Sequence, residues 1–325
     1  MAHTTTESHA IHSSNLITTL HLSQQAPVFL KRQLSSERSP ISLLISNQEG
    51  PEKYGMIEQL FFSCLQTGDD RSALLCLEQL TSRFGPSNER VMGLRGLYEE
   101  AIAETQSDLE NCLRKYDVSL SENPLNLPIL KRRIALLRSM SRPADAITSL
   151  VELLRAVPTD AEAWCELSDL YQSQGMNAQA IFSLEEALLI VPNAWNIHAR
   201  LGEVLYICAC STETEVSLQY LRRSIRYFCR SVELCDGYLR GFYGLASATS
   251  LHLGRSCLMT SSRDLSTTSM EDILSKEKVE KLNIFSKRKL QEIVKQRSAN
   301  HQLWEHAQGE LIAAKELLDR MNEPQ

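Results

Sequence analysis

Apolar residues recur at three- and four-residue spacing from about residue 54 to 253, in paired runs that each end near a proline or a glycine. That spacing places apolar side chains along one stripe of a helix. Three of the closing positions, Pro124, Pro158 and Pro192, stand 34 residues apart. A proline cannot continue a helix, because it lacks the amide donor and its ring clashes with the preceding turn. Between Pro158 and Pro192 the pattern reads Trp164, Leu167, Ser168 and Tyr171, then Ala180, Leu184 and Ala187. It predicts two antiparallel helices per unit.

The frame carries to its neighbours. The first unit gives Ile57, Leu60, Cys64, Ala73, Leu77 and Leu80, closed by Gly85. The second gives Val91, Leu94 and Tyr98, then Cys112, Tyr116 and Ser119, with five extra residues between its helices. Leu130, Ile134, Leu137, Ala146, Leu150 and Leu153 make the third. His198, Leu201, Gly202, Ser224, Phe228 and Ser231 make the fifth, with ten extra residues around 211–215, and Phe242, Leu245 and Ala246 open a sixth. The second helix always begins with a small residue (Ala73, Cys112, Ala146, Ala180, Ser224), which lets the two helices of a unit approach closely. Helix pairs of this period are the tetratricopeptide (TPR) pattern, and such units bury their apolar faces by stacking. The predicted fold is all-α: a TPR-type α-solenoid of about six helix pairs, starting near 54, 88, 127, 161, 195 and 239, with a C-terminal helical cap.

The flanks differ. Residues 1–26, rich in Ser, Thr and His, predict a disordered tail, and 27–53 a capping segment. The Ser/Thr-rich stretch 254–270 predicts a flexible loop, and 271–321 predicts C-terminal helices that cap the 54–253 array.

Composition narrows the function. With 43% hydrophobic and 23% charged residues the chain can build a core. A net charge of −6 argues against nucleic acid as the main partner. No run of 18 apolar residues is present, so no direct membrane span is expected. Residues 1–26 hold no Lys or Arg and do not read as a secretory signal, so the nine cysteines, none in a C-x-x-C pair, are expected to be reduced, mostly buried thiols of a cytosolic protein.

Chemistry is sparse. No phosphate loop, nucleophile elbow or metal-binding motif occurs, so no catalytic, cofactor or metal residue is assigned and the chain is not expected to be an enzyme. His198 takes the place of Trp164 one repeat on and reads as a packing residue. The pairs Glu99-Glu100 and Glu185-Glu186 read as solvated faces. Basic clusters at 131–133, at Arg222, Arg223, Arg226 and Arg230, and at 276–297 read as solvated helix faces paired with nearby Glu, with acidic protein or anionic lipid as the alternative. A chaperone-tail carboxylate clamp needs Lys and Asn on successive first helices; only Lys131 fits, so that partner is not expected.

The chain also resembles the subunit 2 family of the endoplasmic reticulum membrane protein complex, over about residues 54–250. The resemblance lies in Ile57-Glu58-Gln59-Leu60 through Ala73 to Arg83-Phe84, the Lys131 to Ala135 helix start, Glu162 to Leu167 with Tyr171, Phe182 to Glu186, Ala199 to Tyr206, and Tyr227-Phe228 to Leu234. It implies a scaffold without catalysis or cofactor. Such a scaffold sits on the cytosolic face of the membrane, held through partner subunits, and cups cytosolic parts of membrane subunits in an insertase for tail-anchored and multi-pass proteins. First helices line the concave side of a TPR array, so the partner-binding candidates are Lys131, Arg138, Asp169, Gln172, Glu203, Tyr206, Arg240 and Tyr243. A soluble TPR adaptor of another assembly, in RNA processing or ubiquitin-linked, is the competing expectation.

Overall fold

The computed structural model describes residues 16–37, 51–212, 215–260, 276–299 and 308–322. These form fourteen α-helices and no strand. In chain order they are α1 (Leu16–Glu37), α2 (Pro51–Thr67), α3 (Asp70–Phe84), α4 (Glu89–Ala101), α5 (Gln106–Glu122), α6 (Leu127–Ser139) and α7 (Pro143–Ala156). There follow α8 (Ala161–Ser173), α9 (Asn177–Ile190), α10 (Trp195–Cys210), α11 (Glu215–Leu234), α12 (Leu239–Thr260), α13 (Lys276–Ala299) and α14 (Gln308–Asn322). The chain divides into two compact units, Met1–Ser149 and Leu150–Gln325. The fold is all-α and built of TPR-type helix pairs.

The same turns recur at the same repeat positions. Between units, the amides of Asn88, Asn126, Asp160, Ala194 and Tyr238 each donate to the carbonyl three residues back, at 3.2–3.4 Å. Asn88, Asn126 and Asp160 then cap the following helix through their side chains. Within units, Gly68, Ser141 and Gly175 hold positive φ, and the next amide reaches back five residues: Asp69 to Cys64, Arg142 to Leu137 and Met176 to Tyr171, each at 2.9 Å. This Schellman closure reverses the chain in very few residues. Pro158 and Pro192 have a second use. Their carbonyls accept hydrogen bonds, each at 2.9 Å, from the Trp164 indole and the His198 Nε2 at the equivalent repeat position.

The small positions at the helix seams are all buried: Ala73, Cys112, Ala146, Ala180 and Ser224. Ser168 Oγ donates to the Ala180 carbonyl at 2.9 Å. In the α10–α11 pair, Ser217, Ser224 and Ser231 stand seven residues apart and donate to the carbonyls of Ala209, Gly202 and Trp195 at 2.7–2.9 Å. A seven-residue repeat keeps one seam on a partner helix over several turns. The ten extra residues of this repeat go mainly into length: α10 and α11 have 16 and 20 residues, against 13 and 14 in α8 and α9.

Phe228 of α11 is buried between two glycines, Gly202 of α10 and Gly244 of α12. A methyl group on Gly244 would stand 2.8 Å from Phe228 Cδ1 and nearer still to the ring edge. Alanine is the better helix former by about 1 kcal/mol, yet overpacking costs about 1–3 kcal/mol. Gly244→Ala is therefore expected to destabilise the protein, read as a lower urea midpoint at unchanged slope; a raised midpoint would show that the ring has room.

The flanks depart from the expectation. The disordered tail expected over 1–26 instead enters α1 at Leu16. Among the described side chains of α1 the buried ones are Thr19, Ser23, Ala26 and Leu30, a helical stripe too polar to stand out in the sequence. Thr67 Oγ1 of α2 donates to Ser23 Oγ at 2.7 Å, and Pro27 lies inside the helix. Residues 38–50 of the expected capping segment lie outside the described residues. Residues 254–260 of the loop expected over 254–270 are instead helical, because α12 continues to Thr260. Arg255 Nη1 donates to the carbonyls of Ala209 and Thr212, at 2.6 and 2.7 Å, and ties that extension to α10. The remainder, 261–270, is outside the described residues.

Candidate interaction surface

In the second unit the first helices α8, α10 and α12 bring six of the eight partner-binding candidates to one region. Arg200 of α10 is its hub. Its Nη2 donates to Asp169 Oδ1 at 2.9 Å and to Gln172 Oε1, both on α8. Its Nη1 donates to Glu203 at 3.0 Å, and Glu203 in turn pairs with Arg240 of α12 at 3.1 Å. Asp169, Gln172, Glu203 and Arg240 therefore form one ladder across three helices. Arg200 was missing from the sequence-based candidates. Its signal is arithmetic: Asp169 to Arg200 spans 31 residues, the 34-residue offset of those repeats less one helical turn, and Glu203 to Arg240 spans 37, the longer offset of the fifth repeat less two turns. Lys131 and Arg138 belong to the first unit, exposed on α6.

Tyr206 and Tyr243 pack half-buried against the core of the second unit. Burial, with Cys210 beside it, pushes the Tyr206 phenol up to about 12. Both tyrosines line a cavity of about 510 Å³ with Glu203, Arg240 and Phe228. Its far wall is α14, through Glu310, Leu317 and Arg320. The C-terminal helix, expected to cap the array, thus lies along the first-helix face itself. A second, apolar cavity of about 280 Å³ is lined by Leu154, Trp164, Leu167, Tyr171 and Phe182. The Trp164 and Phe182 rings meet edge to face, with centroids 6.1 Å apart.

The carboxylate pairs expected to be solvated are instead partnered, and basic residues at 131–133 and on α11 pair with acidic side chains, as expected. Glu100 of α4 takes the Arg132 guanidinium through both oxygens and the Tyr116 hydroxyl through one, so neither Glu100 nor Arg132 is a free surface charge. Arg133 pairs with Asp117 at 2.7 Å, Glu99 with Lys115 at 2.8 Å and Glu185 with Arg223 at 2.6 Å. The arginine stripe of α11 is not uniform either. Arg222 is half-buried with its Nε unpartnered, and burial, with the Arg222 charge nearby, holds His252 below the usual histidine range. Among the described residues no group of three His, Cys, Asp or Glu is placed to hold a metal ion, and no helix is long and apolar enough to cross a membrane.

Residues 83–220, which hold this ladder up to Glu203, match the EMC2 TPR-like repeat domain. A TPR repeat protein of Schizosaccharomyces pombe, oca3, is 34% identical over 244 residues, covering 73% of this chain and 79% of the relative. The chain belongs to the EMC2 TPR-like repeat family. Within it, ER membrane protein complex subunit 2-B of Xenopus laevis is 33% identical over 196 residues, 60% of this chain and 62% of that protein. Among solved structures, the C-terminal part of a TPR repeat-containing protein from Cytophaga hutchinsonii shares the fold, with a TM-score of 0.52 at 11% identity, over 86% of this chain and 95% of that one.

Proposed function

We propose that this chain is a non-catalytic TPR scaffold of an ER membrane protein complex, held at the cytosolic face of the membrane by partner subunits. There it holds cytosolic segments of membrane subunits of an insertase for tail-anchored and multi-pass proteins. Membership of the EMC2 family is the observation that carries the reading. The α8–α10–α12 face supports it physically. Its charges are locked into fixed positions by Arg200, so a partner meets a pre-ordered polar surface, and ordering costs are lower for such a surface. Beside it, the cavity at Tyr206 and Tyr243 offers aromatic walls for an anchoring side chain.

The reading is tested by co-purification in mild detergent and by carbonate extraction of membranes. The chain is expected to pellet with membranes and to be released at alkaline pH. A chain fully soluble in gentle lysates would overturn the scaffold assignment. Tyr206→Ala with Tyr243→Ala is expected to release the membrane subunits, each substitution removing about 2 kcal/mol of binding. Arg226→Glu, exposed on α11, is the outer-face control; Arg222 does not serve, because it is half-buried. Circular dichroism checks that both tyrosine variants remain folded. Release by the control alone would move the interface to the second helices.

A further inference from the structure

Helix α13 carries eight Lys and Arg against three Glu, a net charge of +5 in a chain of −6 overall. Its inward face is fixed: Val279, Asn283, Ser286, Leu290, Ile293 and Val294 are buried, and Asn283 Nδ2 donates to Thr249 Oγ1 at 2.9 Å and Ser250 Oγ at 2.8 Å. The outward face is therefore fixed too. Ile284, Arg288 and Lys295 fall on one exposed row, and Lys278 and Phe285 on the row beside it. Ile284 is 67% exposed and Phe285 46%. The charges on these rows are not spent internally. Lys281 pairs with Glu277 and Lys289 with Glu292, but Lys278, Arg288 and Lys295 have no ion-pair partner among the described residues.

We propose that this face of α13 docks on an anionic lipid surface, with Lys278, Arg288 and Lys295 over the headgroups and Ile284 and Phe285 inserted between them. Exposed cations interleaved with apolar side chains on one helix face are the chemistry of an interfacial helix. Neither cavity described above borders α13. A bilayer needs no groove. The inference is independent of which subunits the scaffold holds, and it gives the chain a membrane contact of its own.

The test floats the purified full-length chain, without partner subunits, with vesicles of phosphatidylcholine alone or containing about 30% phosphatidylserine, at low salt and at about 0.5 M salt. Binding is expected only to the anionic vesicles and is expected to weaken at high salt. Each cation near such a surface contributes about fivefold in partition. Lys278→Gln, Arg288→Gln and Lys295→Gln together are thus expected to lower binding about a hundredfold. Ile284→Ser, alone or with Phe285→Ser, is expected to lower it at both salt concentrations. The three cations and Ile284 are exposed, whereas Phe285 also meets the buried Phe242 ring edge to face, with centroids 6.1 Å apart. Circular dichroism should therefore be unchanged for the triple variant and for Ile284→Ser alone; if the triple variant loses helicity, Ile284→Ser carries the decision. Absence of low-salt binding to anionic vesicles would overturn the proposal, as would full binding by the folded variants. Capture on immobilised poly-glutamate without flotation would overturn it in favour of an acidic protein segment. Each of these failures leaves the scaffold reading standing, because no partner subunit is in the assay.

Discussion

Glu100→Ala is expected to destabilise the first unit by about 3 kcal/mol. An exposed ion pair contributes only about 0–1 kcal/mol, and Glu100, next to Glu99, reads in the sequence as part of a solvated face. Its surroundings decide otherwise. The Glu100 side chain is only 11% exposed and that of Arg132 27%. The carboxylate binds Arg132 through both oxygens and also accepts from the Tyr116 hydroxyl, so it joins α4, α5 and α6 at one point. Removing it strands a largely buried guanidinium and a buried hydroxyl, and stranded charge accounts for most of the cost. Glu100→Ala with Arg132→Ala is expected to recover part of the loss. Urea unfolding of the two single variants and the double variant measures the coupling. A loss below about 1 kcal/mol for Glu100→Ala would class the pair with ordinary surface pairs.

Ala180→Trp is the second large effect, at about 3 kcal/mol or more. Ala180 is fully buried on α9, and its own carbonyl accepts the Ser168 hydroxyl of α8 at 2.9 Å. The helices are held close at that residue. Inserting even a few methylenes into such a seam costs about 1–3 kcal/mol, and an indole is far larger. In a stacked array each unit is stabilised by its neighbours, so the loss is expected to spread into adjoining helix pairs. Leu189→Trp, on the same helix with Leu189 77% exposed, is the matched control. It is expected to stay within about 0.5 kcal/mol of the parent. Equal melting of the two variants would mean that the helix seam is not where the 34-residue frame puts it.

Much of the fold was legible because its rules are local. A period of 34 residues, prolines that stop helices and a small residue at the start of each second helix act through backbone geometry and nearest neighbours. They predicted the helix pairs, the burial of Ala180, Leu184 and Ala187, and the packing role of His198. The family resemblance was legible for the same reason, since it lies in those repeat segments. The flanks were not. The buried stripe of α1 is made of Thr19, Ser23, Ala26 and Leu30, and polar residues of this kind signal burial only when a partner such as Thr67 is already in place.

Charge pairing lay furthest from the sequence. Arg132 and Glu100 are 32 residues apart and Arg200 and Asp169 are 31 apart, so each pair meets only once neighbouring first helices are packed. Within the repeats the sequence by itself determined where helices begin, end and turn, because those are properties of a few consecutive residues. The tertiary structure alone decided which charges are spent inside the protein, as at Glu100 and Arg200, and which remain outward, as at Arg288 and Lys295. The physical reason is distance: an ion pair depends on a separation of a few ångströms, and the spacing of charges along the chain does not fix that separation until the helices have docked.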